Sequence, residues 1–406
     1  MAQKAILLII DGLGDLPISS LSGKTPLQKA KKPNISKLAS SGIQGLMSVV
    51  GNGIVPGSDV AHLQILGYEP EKYYSGRGPL EALGAGIKLM DGDVAFRANF
   101  ATASGNKIID RRAGRIPSSV ARKLEKECNM RINGVQIIFK ATSEHRGAIV
   151  LRGTGLSANV SPTDSHYLGA LRFSAPLDNT PEAKKTARIL NTFTKIVRAR
   201  LERNKINIER KQKNLQIANI IIARGSGMFK NIIKFNEMHG ITGACIAGGA
   251  LYKGIARYIG MNVIDVLGAT GTKDTNLRAK GHAVQKALDQ YDFVFVHVKA
   301  TDSFSHDGDS KGKCKFIERI DSELIPLLKK TECTIIITGD HSTSCARKCH
   351  TGYEVPILIY EKGGRSDSLK KFDEISAMNG GLGHIQGKDV MPIILNILGK
   401  ARMHGS

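Results

Sequence analysis

Tryptophan is absent from the sequence, and aromatic residues of all kinds make up only 5% of its 406 positions. No RNP-type aromatic motif, zinc finger or homeodomain-like helix can be traced, which removes the usual signatures of nucleic-acid readers. No apolar run approaches the ~20 residues that a membrane span needs. The opening Met1-Ala2-Gln3-Lys4 passes straight into a short strand-like run. A signal peptide would need a longer apolar stretch and a small-residue cleavage site, so a cytoplasmic location is expected. The six cysteines (Cys128, Cys245, Cys314, Cys333, Cys345 and Cys349) lack CxxC spacing. That argues against a zinc ribbon or a disulfide framework, and Cys345 and Cys349 read as free thiols beside a loop of candidate metal ligands.

Acidic residues are few beside basic ones, and the formal net charge is +22. Such a surface attracts nucleic acid or concentrates a small anionic substrate. The charge is spread along the chain, with a denser run from Lys195 to Lys213. General surface charge around a small-molecule site is the expectation, with nucleic-acid binding the weaker alternative and self-association left open. The remaining composition, 41% hydrophobic and 23% charged, is that of a globular protein long enough for two domains.

What is present is a series of short apolar runs ending in polar loops. Ala5-Ile6-Leu7-Leu8-Ile9-Ile10 leads into Asp11-Gly12. An uninterrupted run of this kind reads as a parallel strand buried on both faces. Residues 220–223, 263–267, 293–298 and 334–338 repeat the pattern, each followed by a polar loop and a helical segment. That alternation is the signature of a doubly wound α/β sheet, whose ligands bind beyond the strands' carboxyl ends. Between about Asp91 and Ala218 the texture changes to short strands and one amphipathic helix over 184–206. The expected organisation is a core of residues 1–82 and 215–406 interrupted by an inserted α+β domain of residues 83–214. Helix starts are expected at Thr25-Pro26 and at Asn34, and a closing helix over 390–398.

Two features carry chemistry. Val55-Pro56-Gly57-Ser58-Asp59-Val60-Ala61-His62 is a glycine- and proline-punctuated loop that presents the Ser58 hydroxyl ahead of a helix. Gly-Ser-Asp alone is a common turn; a serine at a helix N-terminus is also well placed to carry a phosphoryl group. The second feature is a set of acids and imidazoles after the strand ends: Asp11, Asp302 with His306, Asp340 with His341, and His350. Three carboxylates and three imidazoles suffice for a pair of divalent cations. Mixed oxygen and nitrogen ligation suits zinc, manganese or cobalt better than magnesium alone.

These motifs together resemble the archaeal-type 2,3-bisphosphoglycerate-independent phosphoglycerate mutases of the alkaline phosphatase superfamily. The matching stretches include Pro56-Gly57-Ser58-Asp59-Val60-Ala61-His62, Gly76-Arg77-Gly78-Pro79-Leu80-Glu81-Ala82-Leu83-Gly84, Asp110-Arg111-Arg112-Ala113-Gly114-Arg115 and Thr338-Gly339-Asp340-His341-Ser342-Thr343. The resemblance spans nearly the whole chain. It implies an alkaline-phosphatase-like metal-binding core with an inserted substrate-binding lid, hinged near 76–86 and 214–220. It implies that Ser58 becomes phosphoserine. Asp11, Ser58, Asp340 and His341 would hold one divalent metal (manganese, zinc, cobalt or magnesium), and Asp302, His306 and His350 the other. Arg97, Asp110, Arg111, Arg112 and Arg115 would grip the glycerate moiety of phosphoglycerate, with Arg224 and Lys253 reaching it from the hinge side. His384 stands where the family more often has arginine; a role at the surface or behind the metal ligands is expected for it, with an extra metal ligand the alternative. A metal-dependent phosphatase or another phosphomutase of the same superfamily is the rival reading.

Overall fold

A computed structural model describes residues 3–403 and 405. The chain forms two compact units, one from the segments up to Tyr74 and from Ile233 onward, the other from Ser75–Ile232.

The first unit is built on an eight-stranded sheet in the order Asn262–Val263, Gly243–Ile246, Phe293–Val298, Ala5–Ile10, Thr334–Thr338, Val355–Tyr360, Ile43–Ser48, Gly383–Gln386. Val355–Tyr360 runs antiparallel to both neighbours; the other adjacent pairs are parallel. Every residue of Ala5–Ile10 is buried, which explains its unbroken apolar run. Its register decides where the chemistry sits. Ile10 lies opposite Val298 and Ile9 opposite Thr338, so Asp11, Lys299 and Asp340 emerge at one edge of the sheet. A hairpin of Ser342–Ser344 and Cys349–Thr351 pairs Thr343 with His350 and folds the latter back over this edge.

A buried ion pair ties this edge together. Lys313 Nζ donates to Asp15 Oδ2 at 3.0 Å, to Gly14 O at 3.2 Å and to Thr343 O at 3.1 Å, and the Asp15 carboxylate accepts from the Cys345 amide. A buried pair is tolerated when further hydrogen bonds satisfy it, and here they connect the loop after the first strand to the hairpin.

Several local expectations meet the structure directly. Thr25 forms a capping box with Gln28 ahead of Pro26–Lys29, the long amphipathic helix is Pro181–Arg203, and the last helix is Val390–Ile397. Asn34 is not a cap: the helix begins at Pro33, and Asp321 from elsewhere in the fold accepts the Asn34 and Ile35 amides at 3.2 and 2.7 Å. Residues 263–267 are not a full strand. Only Asn262–Val263 pairs, at the sheet edge, and Leu267 is 96% exposed.

The second unit is an antiparallel sheet of Met130–Ile132, Val135–Ala141, Arg146–Arg152, Val94–Ser104, Lys107–Asp110 and Gly169–Ala170, with Ile220–Met228 on the free side of Val94–Ser104. This corrects the placement of residues 220–223 in the doubly wound core. The run is continuously apolar because both its faces are covered. Ile221 and Ala223 pack with Phe193 and Val197 of the long helix, and Ile220 and Ile222 with Ala101, Ile108 and Leu171. Periodicity cannot tell such a strand from a parallel one. The helix Arg77–Gly84 also belongs here, packed so closely that a Cβ on Gly78 would lie 2.0 Å from Ala95 O. The units therefore divide outside the 82/83 and 214/215 boundaries drawn from sequence.

Candidate functional site

In the first unit, Ser58 opens the eight-residue helix Ser58–Ile65, with Gly57 before it in extended conformation. Ser58 is 6% exposed, and its Oγ lies 3.1 Å from His341 Nε2. His341 Nε2 is also 3.2 Å from Asp340 Oδ2 and 3.5 Å from Asp11 Oδ1. The two aspartates and the histidine form one group whose ligand atoms lie within 4.8 Å of one another; Asp302, His341 and His350 form a second. His306 stands at the rim of the second group, its Nε2 3.3 Å from Asp302 Oδ1.

The hydrogen bonds favour cation binding over a self-contained network. Asp11 Oδ1 and Asp340 Oδ2 are buried without a hydrogen-bond donor. Burying a polar atom unpaired costs about 1–3 kcal/mol, and a charged one more. Asp340 Oδ1 is engaged by the Gly12 amide at 3.0 Å, which fixes the carboxylate and leaves its other oxygen for a ligand. His306 Nδ1 pairs with Lys348 O at 2.9 Å and His350 Nδ1 with Pro56 O at 3.0 Å. Each pairing makes Nδ1 the donor and frees Nε2, the arrangement that orients metal-binding imidazoles. The donor set therefore fits two divalent cations.

Four neighbours escaped the sequence reading. Lys299 Nζ bridges Asp11 Oδ2 at 2.9 Å and Asp302 Oδ2 at 2.8 Å. Tyr252 donates its hydroxyl to Asp11 Oδ2, and His297 Nε2 lies 3.2 Å from the same oxygen. Thr343 Oγ1 links Asp302 Oδ1 at 3.0 Å to His341 Nδ1 at 2.9 Å. Burial alone would raise the Asp302 pKa, but Lys299 with His306 and His350 holds it well below the usual carboxylate value. Burial and Asp340 also push Asp11 up, yet Lys299 and His297 leave it lowered. Burial drives the His297 imidazole down to about 4. Both acids are thus kept ionised, as cation ligands must be.

Lys253 lies on the helix that carries Tyr252, but its ammonium pairs with Asp265 at 2.6 Å. His384 sits on the edge strand Gly383–Gln386, 3.0 Å from Ser48 Oγ and 44% exposed, and is a member of neither group.

The second unit gathers arginines. Arg97 and Arg224 face each other in register on adjacent strands. Arg224 shares the Asp164 carboxylate with Arg111, while Arg97 Nε lies 3.6 Å from Glu81 and Arg77 Nε 3.1 Å from the same oxygen. Asp110 is not among them, because its carboxylate accepts the Arg112 and Gly114 amides at 2.7 Å each. That bonding shapes a loop in which Ala113, Gly114 and Arg115 all have positive φ, a strained arrangement of the sort found at ligand clamps. Arg112 and Arg115 are exposed.

His145 is 3% exposed, its Nδ1 without a hydrogen bond and 3.9 Å from Glu144 Oε2. Burial, then Arg146, Arg112, Arg115 and Arg97, push its pKa down to about 3. The folded protein keeps it neutral while the unfolded chain titrates near pH 6.5, so its contribution is complete above that value and lost as pH falls. At pH 5 the loss is about 2 kcal/mol. His145→Gln is expected to shrink the difference in unfolding free energy between pH 7.5 and pH 5 by about that amount in urea titrations; an unchanged difference would refute the assignment.

A family model described as the metalloenzyme superfamily matches residues 3–397. The chain is 47% identical to 2,3-bisphosphoglycerate-independent phosphoglycerate mutase 1 of Methanocaldococcus jannaschii, over 99% of both chains. It is 44% identical to the protein of the same description from Archaeoglobus fulgidus, again over 99% of each. Among solved structures it resembles a protein of Pyrococcus horikoshii (TM-score 0.87, 36% identity, full coverage of both). It also resembles the cofactor-independent phosphoglycerate mutase of Thermoplasma acidophilum (TM-score 0.71, 34% identity, 98% of this chain and 100% of that one).

Proposed function

Because the chain belongs to the 2,3-bisphosphoglycerate-independent phosphoglycerate mutases, within the metalloenzyme superfamily, we propose that its interconversion of 2- and 3-phosphoglycerate runs through a phosphoserine at Ser58. The observation that carries this reading is the Ser58 hydroxyl, 3.1 Å from His341 and beside carboxylate oxygens that lack donors.

Ser58 Oγ attacks the phosphorus in line, the bond from phosphorus to the glycerate oxygen breaks, and the hydroxyl proton passes in net to the departing oxygen. The reverse displacement on the other glycerate hydroxyl completes the isomerisation. Two divalent ions, one at Asp11, Ser58, Asp340 and His341 and the other at Asp302, His306 and His350, would lower the serine pKa and neutralise phosphoryl charge when bound. Lys299 adds a fixed positive charge between the two groups. Arg97, Arg111 and Arg224 are the residues proposed to hold the glycerate carboxylate, because the guanidinium fork matches a carboxylate in two places. Asp110 has a loop-shaping role in this reading, and Lys253 has none at the reacting atoms. Among the described residues no helix is long and apolar enough to cross a membrane, and a cytoplasmic location is part of the same proposal.

The test is conversion of 3- to 2-phosphoglycerate, followed through an enolase-coupled assay with no 2,3-bisphosphoglycerate present. Turnover in the usual enzymic range, about 1–10³ s⁻¹, is expected. Activity appearing only after 2,3-bisphosphoglycerate is supplied, or phosphate release outpacing isomerisation, would overturn the proposal.

A further inference from the structure

Asp164 was singled out by no sequence motif, yet it is the most buried acid of the arginine cluster, at 2% exposure. Its backbone is fastened to the strand that carries Arg224. The Thr163 and Asp164 amides both donate to Ala223 O, at 2.9 and 3.0 Å, and Ala223 N donates to Thr163 Oγ1 at 2.8 Å. The carboxylate is fully engaged. Oδ1 accepts from Arg111 Nε at 2.7 Å and the His166 amide at 3.2 Å; Oδ2 accepts from Arg111 Nη2 at 2.9 Å and Arg224 Nη1 at 2.6 Å. Burial works against ionisation, but Arg111 and Arg224 hold its pKa below the ordinary value.

The bland reading is a structural ion pair, and two facts count against it. The first is charge. One carboxylate serves two guanidiniums, and Arg224 also faces Arg97 directly across the strands. Like charges directly opposite destabilise a sheet, so the cluster carries a surplus that a bound anion would relieve. The second is layering. The acid is buried while the arginine side chains are 20% and 19% exposed. Asp164 engages only part of each fork and leaves donors of both to a ligand.

We infer that Asp164 is a positioning residue that locks Arg111 and Arg224 into one preformed grip for the carboxylate of the phosphoglycerate substrate. The inference rests on the proposal that these arginines bind the glycerate moiety. Asp164 touches no substrate itself. It removes rotamer freedom from two long side chains before the ligand arrives, and preorganisation of that kind appears in affinity.

Steady-state kinetics with 3-phosphoglycerate on Asp164→Asn, Asp164→Glu, Arg111→Ala and Arg224→Ala test it. For Asp164→Asn, KM is expected to rise about 30-fold with kcat within about threefold of the parent. Asp164→Glu keeps the charge and should recover part of the loss, to about fivefold in KM. It also preserves the test if the asparagine variant does not fold. If KM is unchanged in both Asp164 variants while Arg111→Ala and Arg224→Ala raise it, the positioning role is wrong and the arginine reading stands. If neither arginine variant raises KM, the arginine reading itself fails. A fall in the unfolding midpoint of the Asp164 variants with KM unmoved would mark the acid as structural and end the inference.

Discussion

Replacing Ser58 by alanine is expected to lower kcat for phosphoglycerate isomerisation by about 10⁴-fold or more, equivalent to about 5 kcal/mol of barrier. The size follows from the geometry of the substrate. The two oxygens that exchange the phosphoryl group sit on adjacent carbons, so direct transfer would pass through a five-membered ring and could not be in line. An intermediate carrier on the protein removes that restriction, and Ser58 is the carrier proposed above. The carrier is also prepared for charge. Ser58 is the first residue of its helix, and the first intrahelical bond to Gly57 O comes from the Ala61 amide. The amides of the opening turn therefore face a phosphorylated Ser58 without helical partners. The variant should fold, since alanine favours helix and the lost atom has its one described contact at His341. Rapid quenching with ³²P-labelled substrate should trap labelled parent enzyme and no labelled variant. A folded, metal-loaded Ser58→Ala protein retaining more than about 1% of parental activity would exclude the covalent route.

The sequence exposed those parts of the fold and site that obey local rules. Asp11, Asp302 and Asp340 follow apolar strands, and parallel register brings the ends of such strands together whatever else the fold does. His350 was legible only as part of a supply of imidazoles; its position depends on a hairpin paired through Thr343. Lys299 could have been found, because it directly follows a strand and stands one helical turn before Asp302. His297 had a signal too, a lone imidazole in the otherwise apolar strand Phe293–Val298. Tyr252 had none, since its partnership with Asp11 joins residues far apart in the chain. The strand Ile220–Met228 was misplaced for a related reason. Two covered faces erase the alternation that marks antiparallel strands, and what covers them is tertiary. Asn34 lost its capping role to Asp321 in the same way.

Removing divalent cations is expected to abolish activity reversibly while leaving the protein folded but less stable. Exhaustive treatment with EDTA should bring kcat below about 1% of the parent value, and manganese, cobalt or zinc should restore it, because in the proposed reaction serine activation and phosphoryl charge neutralisation both depend on the cations. Stability should change less. Lys299 bridges Asp11 and Asp302, and Tyr252 supports Asp11, so removing cations would not leave the carboxylates wholly to repel one another. Asp11 Oδ1 and Asp340 Oδ2 still lack donors, and a cation relieves that deficit in the native state alone. At a cation concentration 100 times its dissociation constant the gain is about 2.7 kcal/mol per site. For a unit of this size that raises the unfolding midpoint by about 5–10 °C. Calorimetry of the stripped protein with added manganese, beside metal analysis of the same sample, checks both halves. Full activity at less than one equivalent of bound metal would remove the dinuclear reading. A restored activity with no rise in midpoint would contradict preferential binding of the cations to the native state and refute the stabilisation predicted from the two orphaned oxygens.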